Sequence, residues 1–170
     1  FQNNGDNTFK NRKKEWLNAD PSFSHGFVYA DLDNDGDLDL VVNNTDDNAG
    51  IFKNNSEKLI QNNYLKVNLE GGNSNRFGIG AKIFVYYGDK FQQQEHYLSR
   101  GYLSSLAPGL HFGLAKHSLI DSVKVIWPGF LTETKYNIKP NRSIEFNIND
   151  AKSLILNRPE VSSIFEEKDY

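Results

Sequence analysis

Asp31-Leu32-Asp33-Asn34-Asp35-Gly36-Asp37-Leu38-Asp39 sets a carboxylate at every odd position and glycine at the sixth. Carboxylates this close repel one another, and a chain keeps them only where a counter-charge is at hand. A hard cation that takes about six to eight oxygen ligands, above all Ca2+, supplies it. Gly36 permits the sharp turn that folds such a loop over an ion. The expected ligands are side-chain oxygens of Asp31, Asp33, Asp35 and Asp39, with the backbone carbonyl of Asp37. On that assignment Asp33→Ala abolishes metal binding and Asp37→Asn matters much less. A metal-free acidic turn is the plainer alternative, because Asp, Asn and Gly also form turns. The complete spacing favours the ion.

The flanks decide which kind of loop this is. An EF-hand needs a bidentate Glu at its twelfth position and a helix on either side. Here the twelfth residue is Val42, and Phe27-Val28-Tyr29 and the stretch from Leu38 to Val42 are rich in β-branched and aromatic residues. Strand–loop–strand is the expectation. The chain also repeats itself: Phe1-Gln2-Asn3-Asn4-Gly5-Asp6 returns as Phe52-Lys53-Asn54-Asn55-Ser56-Glu57, 51 residues later. A period near fifty with strand patterning suits a propeller blade. Residues 30–43 resemble the calcium loop of the FG-GAP/VCBS repeats that build integrin-like β-propellers. The resemblance implies Ca2+ as cofactor and further blades of the same polypeptide as partners. One period cannot make a propeller, since about three repeats are needed for stability. The chain opens in mid-repeat without an initiating Met, so it is expected to be a piece of a longer protein with a signal peptide upstream.

Composition narrows the class. Aromatics make up 13% of the 170 residues, which together with the Val, Ile and Leu content argues for a packed core rather than disorder. A net charge of −3 gives no electrostatic footprint for nucleic acid. No apolar run is long enough to span a bilayer. Cysteine is absent, which excludes disulfides and Cys-based zinc sites. Calcium loops of extracellular modules often bind at roughly 10^-4 to 10^-3 M, which points to an extracellular or cell-surface location.

From residue 63 the pattern changes to short alternating strands. Residues 64–70 place Leu65, Val67 and Leu69 on one face and Lys66, Asn68 and Glu70 on the other. Residues 81–87 and 91–98 flank a Gly88-Asp89-Lys90 hairpin, and strands are expected at 122–127, 132–138 and 142–148. Val123, Val125, Trp127, Ile144, Phe146 and Ile148 are inward candidates. Only 151–156 suggests a helix. The fold class expected is all-β: partial β-propeller blade(s) over residues 1–62, an antiparallel β-sandwich-like domain over 63–150, and a linker or lead-in to a further domain over 151–170. Asn75-Arg76-Phe77-Gly78-Ile79-Gly80-Ala81, Arg100-Gly101-Tyr102-Leu103-Ser104, His111-Phe112-Gly113-Leu114 and Val125-Ile126-Trp127-Pro128-Gly129 resemble, in order, the ASPIC/UnbV domain. That domain follows FG-GAP repeats in cartilage acidic protein-like and bacterial surface proteins. Phe130 departs from the small or polar residue common there, which bears on the turn. The resemblance brings no catalytic residues.

Arg76, Arg100 and Tyr102 could converge on a polar pocket for an acidic glycan or a partner's carboxylate, Arg by its bidentate fork and Tyr by its ring. Trp127 could stack on a sugar, although a core aromatic is the simpler reading. Gly78 and Gly80 lack the full spacing and the helix of a phosphate loop. His25, His96, His111 and His117 show no zinc spacing, and no nucleophile elbow is present. Glu133 and Glu145 fall on separate strands, without support for a glycosidase pair. The expectation is no enzyme: a calcium-binding recognition or adhesion module for a protein or glycan ligand. The alternative is an accessory or catalytic subunit of a polysaccharide- or natural-product-processing system whose active site lies elsewhere.

Overall fold

A computed structural model describes residues 1–17 and 21–154. The N-terminal part opens with a small hairpin, β1 (Gln2–Asn3) and β2 (Phe9–Lys10), followed by a single helical turn, α1 (Lys13–Trp16). Then come β3 (Ser24–Ala30), β4 (Asp39–Asn44) and β5 (Gly50–Phe52), an antiparallel three-stranded sheet, and another turn, α2 (Ser56–Leu59). The acidic stretch is the β3–β4 connection. No helix flanks it, as the β-branched and aromatic neighbours required.

Register explains why this sheet is apolar on both sides. Phe27 opposes Val42, and Tyr29 opposes Leu40, which opposes Phe52, so these five share a face. Val28, Val41 and Ile51 line the other. Phe27 stays 59% exposed and Ile51 70% exposed. A sheet written for water on one side would alternate polar and apolar residues; this one is written to be stacked between neighbours. The 51-residue echo is structural too. Gly5 N donates to Asn3 Oδ1 at 2.8 Å, and at the equivalent place Ser56 N donates to Asn54 Oδ1 at 3.0 Å. Beyond that shared turn the copies part, into β2 in the first and α2 in the second.

The C-terminal part contains β6 (Asn63–Glu70), β7 (Lys82–Tyr87), β8 (Lys90–Glu95), β9 (Leu110–Ala115), β10 (Ile120–Ile126), β11 (Leu131–Ile138), β12 (Arg142–Asn147) and β13 (Lys152–Ser153). They form two sheets, ordered β13-β11-β10-β7-β8 and β12-β6-β9. All pairings are antiparallel except β12 with β6. Leu65, Val67, Leu110, Phe112 and Phe146 from one sheet meet Ile83, Val85, Val123, Val125 and Trp127 from the other in a continuous core. Each such side chain, fully buried, contributes about 1.5–3 kcal/mol. The sandwich-like layering follows from the period-two alternation read in these strands. Two expectations are corrected. The helix expected over 151–156 is a 3-10 turn (Ile148–Asp150) followed by β13, whose pairing with β11 keeps 152–153 in the sheet rather than in a linker. Residues 155–170 lie outside the described residues.

Trp127 is the second correction. It is 2% exposed, so it offers no platform to a sugar. Gly78 (φ +66) shows how tightly it is packed, because a Cβ there would lie 2.8 Å from Trp127 Cζ3. The turn that follows carries a cost. Phe130 has φ 61, a left-handed backbone that a β-carbon disfavours by about 1–2 kcal/mol, and its ring is 56% exposed. Phe130→Asn, tolerant of that conformation, is expected to raise the thermal midpoint by about 2–4 °C, measured by calorimetry.

Candidate metal centre

The β3–β4 connection gathers its acids. One carboxylate oxygen from each of Asp31, Asp33 and Asp35 lies within 4.8 Å of the others, and Asp35, Asp37 and Glu57 make a second such group. Asn34 (φ 61) and Gly36 (φ 98) supply the left-handed backbone that curls the loop inward. Four carboxylate oxygens, Asp31 Oδ1, Asp35 Oδ2, Asp37 Oδ1 and Glu57 Oε2, are buried without a hydrogen-bond partner. An orphaned buried carboxylate oxygen costs several kcal/mol unless something compensates it. A divalent cation fits that demand: hard oxygen donors, crowded negative charge and a loop bent around a common centre. Asp31, Asp33 and Asp35 would hold it, and when bound it would supply charge neutralisation and rigidity.

The remaining acids divide the work differently from the sequence expectation. Asp39, 2% exposed, spends both carboxylate oxygens on the backbone: Leu32 N donates to Oδ2 at 3.0 Å and Asn54 N to Oδ1 at 2.8 Å. It staples the start of the loop to the end of β5 and lies outside both acid groups. Asp37, expected to offer only its carbonyl, uses its carboxylate, with Oδ2 accepting from Ser56 Oγ at 2.9 Å and Glu57 N at 3.3 Å. Glu57 was missed. Its signal was its place at the end of the second repeat copy, which returns to the loop of the hairpin before it. Lys53 donates to Asp33 and stands 3.5 Å from Asp35 Oδ2. That bond holds the Asp33 carboxyl below its usual range and the Lys53 ammonium well above its own.

The C-terminal domain grips this loop from the other side. Lys66, on β6, donates to Asp31, whose side chain is only 4% exposed. His111, on β9, lies 2.9 Å from the Gly36 carbonyl through Nε2, which donates. Burial pushes the His111 pKa down, against the opposing pull of its bond to the Gly36 carbonyl. Tyr64 stacks on His111 with centroids 5.5 Å apart and lies against Gly36. Farther along β3, Gly26 packs on the 102–104 loop, where a Cβ would come 2.9 Å from Ser104 Oγ.

The proposed recognition residues do not converge. Arg76 is exposed on the 71–80 loop and Tyr102 is exposed on the 100–104 turn. Arg100 is half-buried and lines a crevice of about 430 Å³ between β3 and the C-terminal domain. Its turn is braced: Arg100 N donates to Ser104 O at 2.9 Å and Leu106 N to Leu98 O at 2.8 Å. His96, 3% exposed, lines the same crevice. Burial, then the Arg100 charge, holds its pKa below the ordinary value near 6.5. A histidine depressed in the folded state binds its proton more readily when unfolded. Its contribution is therefore present above about pH 6.5 and is lost as pH falls from there through the folded value. The thermal midpoint is expected to drop across that window, and His96→Gln to flatten the drop, as followed by circular dichroism.

No helix among the described residues is long and apolar enough to cross a membrane. A search of curated proteins returns no match to the chain. Two family models match it, an FG-GAP-like repeat over residues 1–42 and ASPIC and UnbV over residues 71–153. The first covers β1 to the middle of β4 with the whole acidic loop; the second covers both layers of the sandwich apart from β6. The chain thus carries an FG-GAP-like repeat followed by an ASPIC and UnbV domain.

Proposed function

We propose that this chain is a non-catalytic, calcium-binding recognition or adhesion module of an extracellular repeat protein. The observation that carries it is the set of four buried carboxylate oxygens without a hydrogen-bond partner in and beside the β3–β4 loop, of which Asp35 Oδ2 has a cation near, Lys53 at 3.5 Å. Ca2+ compensates them, and the loop then fixes the hairpin against Lys66 and His111 of the following domain. The two-sided apolar sheet suits stacking with further blades of the same polypeptide, and a rigid array of this kind presents loops to a protein or glycan ligand.

Calcium titration by calorimetry after chelator treatment tests this reading. A dissociation constant of roughly 10^-4 to 10^-3 M is expected. At about 10 mM Ca2+ the thermal midpoint should rise by about 3–8 °C, since a ligand that binds only the folded state stabilises it by mass action. Mg2+, which demands stricter geometry and keeps its waters, should do much less. No calcium heat and no calcium shift would sink the proposal. A glycan array read in calcium and in chelator tests the recognition half.

A further inference from the structure

The crevice between β3 and the ASPIC and UnbV domain contains a charge that no described residue balances. Its wall holds one carboxylate, Asp31, and two permanent cations, Lys66 and Arg100. Lys66 is taken up by Asp31. Arg100 makes no ion pair with any described residue, yet it is half-buried on a braced turn. The same crevice is lined by groups suited to a ring rather than to bulk water: the apolar Leu38, Leu106 and Pro108, and the Gln94 amide. Gln94 Nε2 is already committed to His111 O at 2.8 Å, which leaves its oxygen free to accept. A volume of about 430 Å³ lies in the range of small-molecule sites, about 300–1,000 Å³.

We infer that this crevice binds a small organic carboxylate with a cyclic body, its carboxylate on the Arg100 guanidinium and its ring between the apolar wall and Gln94. A planar guanidinium takes a carboxylate in two parallel hydrogen bonds, and partial burial strengthens them. The buried neutral His96 beside it adds no competing charge. The inference rests on the recognition half of the proposed function, for which it names the site and ligand class, and its test reads acid binding and calcium binding separately.

The test is calorimetric titration with glucuronate, benzoate and glucose, in calcium and in chelator, with the calcium heat of each sample recorded separately. Binding of glucuronate identifies a sugar acid, and binding of benzoate identifies an aromatic acid; either supports the site, and glucose should not bind. Arg100→Gln should weaken the acid at least about tenfold, the loss of one charge-assisted pair. Ala107→Trp, at an exposed position on the rim, should block it while leaving the unfolding midpoint unchanged. Failure of both acids to bind, equal binding of glucose, or unchanged affinity in Arg100→Gln overturns the inference. A sample that binds the acid but shows no calcium heat would refute the metal reading alone.

Discussion

Asp31→Asn is expected to erase the difference between calcium and chelator in both calorimetry and thermal unfolding. The substitution keeps the shape and an oxygen that can accept from Gly36 N, now 3.0 Å from Asp31 Oδ2. It removes the charge that the cation needs. In chelator the variant should stay within about 1 kcal/mol of the parent, because losing the Lys66 pair is offset by less repulsion from Asp33 and Asp35. In about 10 mM calcium it should fall behind by the whole ligand contribution, about 1.5–2.7 kcal/mol. Asp39→Asn is the contrast. An amide at that position turns one acceptor into a donor facing a backbone N–H, either Leu32 or Asn54, in a site closed to water. It should cost about 2–4 kcal/mol with calcium or without it. A variant of Asp39 that loses only its calcium response would reassign Asp39 from staple to ligand, and a variant of Asp31 that retains the response would remove Asp31 from the ligand set.

That contrast shows where the sequence stops being legible. The spacing of the five acids announced a loop that gathers its carboxylates, and the residues on either side announced strands, because both signals are local. Asp37 and Asp39 are different. Their partners, Ser56, Glu57 and Asn54, arrive from beyond β5, so the division between ligand and staple depends on how the chain returns. Trp127 was legible: its strand alternation placed it inward, and a core aromatic was the simpler reading beside the sugar platform. The close approach of Gly78 to its ring confirms the core reading over the sugar platform. Arg76, Arg100 and Tyr102 stood in motifs of the right order, but order along a chain does not bring two loops to one point. The grip of Lys66 and His111 on the acidic loop had no sequence signal beyond the outward face of β6, which alternation left polar.

The grip itself can be broken at one atom. Gly36→Ala is expected to lower stability by about 3–5 kcal/mol, with a fall of roughly 10 °C in the thermal midpoint. Part of this is backbone strain: at φ +98 a β-carbon costs about 1–2 kcal/mol. The larger part is contact, because the new Cβ would lie 2.0 Å from Tyr64 Cε1, and Tyr64 is itself held by its stack on His111. Loop and ring cannot both keep their places, so the Gly36 carbonyl also loses the His111 donor. The two parts separate in a double-mutant cycle. Tyr64→Ala clears the space, and in that background Gly36→Ala should cost only the strain, about 1–2 kcal/mol, in urea unfolding followed by fluorescence. Equal cost in both backgrounds would mean that the loop does not rest on Tyr64 in solution. The coupling of the acidic loop to the sandwich would then have to run through the His111 bond to the Gly36 carbonyl and through Lys66, whose ion pair with Asp31 a bound cation would weaken.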